Sequence, residues 1–105
     1  MTDMIERLEA VIAERRRGDP ASSYVAKIAH KGRAELAKKL GEEGVELALA
    51  SVQDDRAGAT SEAADLVFHL LMLLADMDLS FADVCAELER REGRSGIDEK
   101  NSRKE

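Results

Sequence analysis

Residues 62–77 read EAADLVFHLLMLLADM and decide the fold. They predict a helix whose Leu, Val and Met side chains cover most of its circumference. The exception is a polar line of Glu62, Asp65, His69 and Asp76, on which Met72 also lies. A helix that is apolar nearly all round is buried, and a chain of 105 residues offers it few neighbours. We therefore expect an all-α bundle in which a second copy covers part of this helix, making a homodimer.

Apolar residues at helical spacing and capping residues predict about five helices in all. The helices are expected to begin near Met4, after Ser22 or Ser23, near Arg33, after Thr60 or Ser61, and after Ser80, and the first four to end near Arg17, Gly32, Gln53–Asp55 and Met77. The fifth opens on a capping box and is expected to turn Val84, Cys85 and Leu88 inward. We predict one domain over residues 1–91 and a polar tail over 92–105, mobile unless a partner or ligand holds it.

Composition narrows the class of protein. Hydrophobic residues make up 44% of the chain and aromatic residues 3%, which favours helices over sandwiches and barrels. A net charge of −6 argues against a nucleic-acid or anionic-membrane partner. The single Cys85 fits a reducing compartment, no signal peptide is evident, and the apolar run Leu70–Ala75 is shorter than a bilayer span. We expect a soluble, cytoplasmic protein.

Two pairs of acids lie on the third and fourth predicted helices. Glu43 and Glu46 are three residues apart, as are Glu62 and Asp65, so each pair shares one helix face. Glu43 also lies within the apolar stripe of its helix, and the second pair belongs to the polar line of the fourth helix. We therefore expect the four carboxylates to point into one cleft between the two helices.

The spacing of these acids predicts which of them face each other. Glu43 with Asp65, and Glu46 with Glu62, are both centred on Asp54, so an antiparallel hairpin that turns there brings each pair level. The loop predicted from the capping residues is instead centred a few residues later. That position would stagger the two arms, at ~1.5 Å per residue on each arm.

Clustered carboxylates repel one another unless protons, Lys or Arg side chains, or a cation compensate them. Oxygen ligands without Cys select Mg²⁺, with Mn²⁺ as the alternative, and such a site suits hydrolysis of a phosphoryl substrate.

The same residues have other interpretations. Acids at this spacing also occur on solvated helix faces. A di-iron bundle requires two Glu-x-x-His pairs, which the chain lacks. His69 is either a core histidine or a hydrogen-bond partner of Asp65 behind the ligands.

The acidic segments resemble a known family. Glu42-Glu43-Gly44-Val45-Glu46 followed by Glu62-Ala63-Ala64-Asp65 is similar to the EExxE…ExxD signature of the MazG-like, all-α nucleoside triphosphate pyrophosphatase superfamily. Three flanking segments resemble the phosphoribosyl-ATP pyrophosphatase family within it: Ser22-Ser23-Tyr24, the Lys39–Glu43 segment, and the tail over 95–103. The resemblance runs from about Leu8 to Arg103. Phe68 stands where the family commonly has Tyr, and Gly44 where it usually has Ala.

The resemblance implies an activity and a set of roles. The implied reaction is hydrolysis of phosphoribosyl-ATP to phosphoribosyl-AMP and pyrophosphate in histidine biosynthesis, by an all-α homodimer that uses Mg²⁺. It places the metal on Glu43, Glu46, Glu62 and Asp65 and makes Glu42 the candidate catalytic residue that orients the attacking water. Lys39 and Lys27 become candidates for phosphate contacts, and Ser23 and Tyr24 for other substrate contacts.

Two other functions remain open from the sequence. One is a housekeeping pyrophosphatase that acts on free or damaged nucleoside triphosphates. The other is a helical dimerisation module without enzymatic activity, whose acids are solvated. The first would release pyrophosphate from dUTP, dCTP or ATP, and the second would show no Mg²⁺-dependent change in thermal stability.

Overall fold

A computed structural model describes residues 2–93 as five α-helices. They are α1 (Thr2–Arg15), α2 (Tyr24–His30), α3 (Arg33–Val52), α4 (Arg56–Asp76) and α5 (Phe81–Arg90). No strand occurs in this part of the chain, so the predicted all-α class is confirmed. Most of the predicted tail lies outside the described residues, which end at Gly93. The division into a domain over 1–91 and a tail stays a prediction.

The two longest helices, α3 and α4, form an antiparallel hairpin that carries most of the tertiary contacts. Only Gln53–Asp55 separate them, and Asp54 takes the left-handed conformation (φ 55°) that the tight turn requires. The prediction that Thr60 or Ser61 caps α4 is wrong. Asp55 is the cap, and its side chain accepts a hydrogen bond from the Gly58 N–H at 2.9 Å. Thr60 instead donates its hydroxyl hydrogen bond to a carbonyl one turn earlier in the helix.

The buried core lies where α1, α2, α3 and α4 meet. Its members are Ile12, Val25, Ile28, Leu36, Leu71 and Met72. Met72, which the sequence places on the polar line of α4, is only 1% exposed and belongs to this core. The polar line therefore turns toward the other helices of the same chain, because His69 beside it is buried as well.

The apolar side chains of α4 outside the core, such as Leu66 and Leu70, are only partly buried. Only 17% of its most apolar 18 residues are buried within one chain, so the expectation of a helix buried all round is not met by a single copy. By length and composition alone this 21-residue helix would be long and apolar enough to cross a membrane, a test that core helices of soluble proteins also pass.

Ion pairs and caps tie the ends of the helices together. Asp76, at the end of α4, accepts a hydrogen bond from Arg33 Nε at 2.6 Å, and Arg16 lies 3.6 Å away on its other side. This carboxylate thus connects α1, α3 and α4. At the start of α5, the Phe81 N–H donates to Glu9 of α1 at 2.8 Å.

The short helix α5 is amphipathic and opens as predicted. Ser80 and Asp83 form a reciprocal capping box, each side chain accepting from the other residue's backbone N–H. The prediction that Leu88 faces inward is wrong, because its side chain is 57% exposed, while Val84 and Cys85 are partly buried. The helical spacing of the apolar residues predicted a helix here correctly. The other helices described by the structure pack against too little of α5 to cover this leucine.

Candidate carboxylate site

Three acids converge across the α3–α4 hairpin. One carboxylate oxygen from each of Glu43, Glu62 and Asp65 lies within 4.8 Å of the other two. The turn explains this convergence: α3 ends at Val52 and α4 begins at Arg56, so the hairpin is centred on Asp54. The two arms are therefore level at the acids, and the stagger expected from the predicted capping residues is absent.

Two oxygens of the cluster are buried without a partner. Oε1 of Glu43 and Oε1 of Glu62 are both shielded from solvent and have no hydrogen-bond partner among residues 2–93. An ionised carboxylate only accepts hydrogen bonds, so two of them cannot satisfy each other. Leaving such oxygens unpaired costs free energy. The cluster therefore requires a shared proton or a cation between its members.

The pKa values of the two glutamates reflect this environment. Burial raises the pKa of Glu43, and the charges of Asp65 and Glu46 raise it further, while His69 and Lys39 act in the opposite direction. Burial also raises the pKa of Glu62, followed by the charges of Glu46 and Glu43. For each glutamate, the largest electrostatic effect of a neighbouring charge on the pKa comes from the acid that lies opposite it in the symmetry of the hairpin.

Two members of the cluster, Glu43 and Asp65, line a cleft of about 460 Å³, a size typical of small-molecule sites. Glu46, predicted as a fourth ligand, lines this cleft but lies outside the group of three, and its side chain is exposed. Glu42 is exposed and Lys39 is partly buried, and both line the same cleft. The roles assigned to these residues from the sequence stay predictions.

The rings of Tyr24, Phe68 and His69 line the same cleft. His69 is 6% exposed, and its Nδ1 lies 3.0 Å from the backbone carbonyl of Asp65. The predicted contact between these residues is thus made to the main chain and not to the carboxylate. The other ring nitrogen lies 3.4 Å from the Tyr24 hydroxyl. Phe68 packs edge-on against His69, with ring centroids 5.1 Å apart.

Two predicted substrate residues lie elsewhere on α2. Ser23 is the N-cap of α2, and its hydroxyl oxygen accepts a hydrogen bond from the Ala26 N–H at 3.2 Å. Lys27 is exposed and, like Ser23, is not part of the cleft lining. A role for either residue in substrate binding stays a prediction.

Sequence reasoning gave no function to Phe68, which lines the cleft beside His69. Its position three residues after Asp65 was the available signal, since residues three apart share a helix face. Asp76 was placed on the polar line, but its pairing with Arg33 and Arg16 was not foreseen. Asp76 lies three turns after Asp65 on α4. Residue spacing along one helix does not show which side chains of other helices pair with it.

The five-helix fold and the carboxylates on facing helices define an all-α domain of the nucleoside triphosphate pyrophosphatase class. The model of the phosphoribosyl-ATP pyrophosphohydrolase family matches residues 5–92, which is most of the chain. The chain belongs to this family.

Curated relatives agree with this assignment over nearly their whole length. The chain is 57% identical to the phosphoribosyl-ATP pyrophosphatase of Novosphingobium aromaticivorans over 96% of its own residues and 94% of the relative's. It is 54% identical to the enzyme of that name from Rhizorhabdus wittichii, covering 98% and 97% of the two chains. A third enzyme of this name, from Dinoroseobacter shibae, is 55% identical over 95% of the chain and 98% of the relative.

Proposed function

We propose that this protein hydrolyses phosphoribosyl-ATP to phosphoribosyl-AMP and pyrophosphate in histidine biosynthesis. The observation that carries the proposal is the similarity to phosphoribosyl-ATP pyrophosphatases over nearly the full chain. The cleft supports it independently, because grouped carboxylates beside one lysine suit a substrate that brings phosphates and a cation together.

A divalent cation fits the residues present, and we propose Mg²⁺, with Mn²⁺ as the alternative. The two unpartnered buried oxygens of Glu43 and Glu62, with Asp65 beside them, offer the oxygen donors that such an ion prefers. Glu46 completes the predicted ligand set from the adjacent turn of α3. When bound, the ion would neutralise charge on the triphosphate and polarise the phosphorus that is attacked.

The remaining residues of the cleft position the reactants. In our proposal the exposed Glu42 carboxylate orients a water molecule and accepts its proton as the water oxygen attacks phosphorus. The anhydride bond between the α- and β-phosphates breaks, and pyrophosphate leaves. Lys39 is placed to contact a phosphate, since it lines the cleft on the turn of α3 before the acids.

The decisive experiment measures Mg²⁺-dependent pyrophosphate release from phosphoribosyl-ATP, with dUTP, dCTP and ATP as competing substrates. We expect release from phosphoribosyl-ATP alone. Preferential release from dUTP or dCTP would favour the housekeeping activity, and no release from any of them would leave the dimerisation module.

Replacing one acid tests the site directly. Glu43→Gln keeps the size of the side chain but removes the charge, so we expect hydrolysis to fall at least 100-fold while the helical circular dichroism spectrum is unchanged. Glu14→Gln, at an exposed position of α1, is the matched control and should retain full activity. Normal turnover by Glu43→Gln would remove this residue from the metal site.

We also propose that the active form is a homodimer. Val45, Leu49 and Val52 form an exposed apolar stripe on α3, and most residues of α4 beside it are only partly buried. Exposed apolar patches of this kind mark protein interfaces. A second copy would cover both helices at once.

We further propose a cytoplasmic protein without a membrane or nucleic-acid partner. α4 is long and apolar enough to cross a membrane, but it carries Glu62 and Asp65, whose carboxylates meet Glu43 of α3. A helix with two grouped acids is costly to insert in a bilayer. The net charge of −6 opposes binding to polyanions. Cell fractionation with a tagged protein would test the location.

A further inference from the structure

The cleft has an aromatic wall made of Tyr24 and Phe68. Their ring centroids lie 6.0 Å apart with planes tilted by 33°, and both rings line the cleft together with the carboxylates. Tyr24 is 52% exposed, which is unusual for so large an aromatic side chain in a chain with only three of them. One face of its ring is therefore free to meet a flat ligand.

The wall is held at a fixed position relative to the carboxylates. His69 Nδ1 lies 3.0 Å from the Asp65 carbonyl oxygen, and its Nε2 lies 3.4 Å from the Tyr24 hydroxyl. The His69 ring also stands edge-on to Phe68. A rigid link thus runs from the turn of α4 that carries Asp65 to the tyrosine ring of α2.

The charge of the cleft favours a ligand whose flat ring is cationic over one whose ring is neutral. Among residues 2–93, four acids line the cleft, Glu42, Glu43, Glu46 and Asp65, against Lys39 as the one lysine or arginine, with the His69 ring beside them. The negative face of an aromatic ring adds to this attraction when a cation stacks on it. A planar, delocalised cation is the ligand that matches both the wall and the surrounding charge.

The proposed substrate carries such a group. Phosphoribosyl-ATP bears its extra ribose on N1 of adenine, and substitution at N1 makes the base an amidine that is protonated at neutral pH, whereas the adenine of ATP is neutral. We propose that Tyr24, with Phe68 beside it, stacks on this cationic adenine and so distinguishes phosphoribosyl-ATP from ATP. This inference rests on the proposed function and assigns the recognition of the base to the aromatic wall.

Two isomeric probes test the proposal without a triphosphate or a metal. 1-Methyl-AMP carries the cationic base, and N6-methyl-AMP has the same atoms but a neutral base. Tyr24 is the only tyrosine and the chain has no tryptophan, so the intrinsic fluorescence of the wild-type protein reports this ring alone. We expect 1-methyl-AMP to quench it and to bind about tenfold more tightly than its isomer.

Two variants separate the ring from the charge of the acids, with affinities measured by calorimetry. Tyr24→Leu should reduce the preference for 1-methyl-AMP by about fivefold and leave only the part that the acids supply, while Tyr24→Phe, which keeps the ring, should retain the whole preference. Equal binding of the isomers to the wild-type protein, or an undiminished preference in Tyr24→Leu, would overturn the inference. Hydrolysis of phosphoribosyl-ATP by the wild-type protein is measured separately, and its absence would overturn the proposed function instead.

Discussion

Individual residues of the carboxylate site were predictable from the sequence because spacing determines which side chains share a helix face. Glu43 lies in the apolar stripe of its helix, and Glu62 and Asp65 lie on the polar line of a helix that is otherwise apolar. The structure brings these three carboxylates together. Ser23 was less predictable, since a hydroxyl at a helix start serves equally well as a cap or as a ligand contact. Here it accepts from the Ala26 N–H.

The raised pKa values of the glutamates predict how stability depends on pH. A folded state that raises the pKa of an acid holds its proton more tightly than the unfolded chain does. The free energy of unfolding should therefore fall as the pH rises from the ordinary value of 4.5 through the raised pKa values of Glu43 and Glu62. Urea unfolding in EDTA between pH 4 and pH 8 measures this fall. Glu62→Gln should reduce it.

A carboxylate with the opposite shift provides the control. Arg90 and Arg91 lower the pKa of Glu87 to about 2 by hydrogen bonding and charge. Its contribution to stability is present above pH 4.5 and is lost as the pH falls toward 2. Glu87→Gln should therefore lower the free energy of unfolding by a constant amount above pH 4.5 and remove the fall toward pH 2, without changing the slope above pH 4.5. Equal slopes above pH 4.5 for the wild type and Glu62→Gln would contradict the electrostatic account of the cluster.

At the scale of the helix, the hairpin register could be predicted from the acids better than from the capping residues. Their symmetry about Asp54 is the symmetry of the observed turn. Thr60 and Ser61 were attractive caps by residue type, but Asp55 lies closer to the end of α3 and already satisfies the Gly58 N–H. Several candidate caps in succession leave the choice to tertiary packing, which a single sequence does not reveal.

Burial on α4 was harder to predict than its helical period. Met72 lies in line with Asp65 and His69, so its position suggested the polar face. In the structure that face points toward the other helices, because the acids there form a site with α3 and not a solvated surface. Met72 therefore belongs to the core although it lies in line with the acids.

Two glycines at different positions of α3 provide a prediction at this scale. A Cβ added at Gly44 would meet nothing within 4 Å, so Gly44→Ala should raise the free energy of unfolding by about 0.5–1 kcal/mol through helix propensity. Gly32, the N-cap of α3, has φ 96°, a conformation that alanine adopts only with strain. Gly32→Ala should therefore lower the free energy of unfolding by about 1 kcal/mol or more. Urea unfolding at one fixed protein concentration measures both.

The two variants control each other, because the same substitution is made in both. If Gly44→Ala were destabilising while Gly32→Ala behaved as expected, a group outside residues 2–93 would lie against α3 at residue 44, as a second copy in the proposed dimer would.

At the scale of the whole molecule, the single chain leaves apolar surface uncovered. The core is small, and most residues of α4 are only partly buried although it is the most apolar helix. A homodimer that covers about 800 Å² on each copy would resolve this mismatch. Composition indicated the need for a partner, but the position of the exposed stripe on α3 required the helix orientations that only the structure provides.

A charge on the stripe tests the dimer. Leu49 is 56% exposed, and Leu49→Lys should place an ammonium group in the apolar interface and shift a dimer to monomer at micromolar concentration. Leu88, on α5, is 57% exposed and makes a control of nearly equal exposure, so Leu88→Lys should remain dimeric. Light scattering after size-exclusion chromatography measures the mass. A monomeric wild type would end the dimer proposal, and dissociation by Leu88→Lys alone would move the interface to α5.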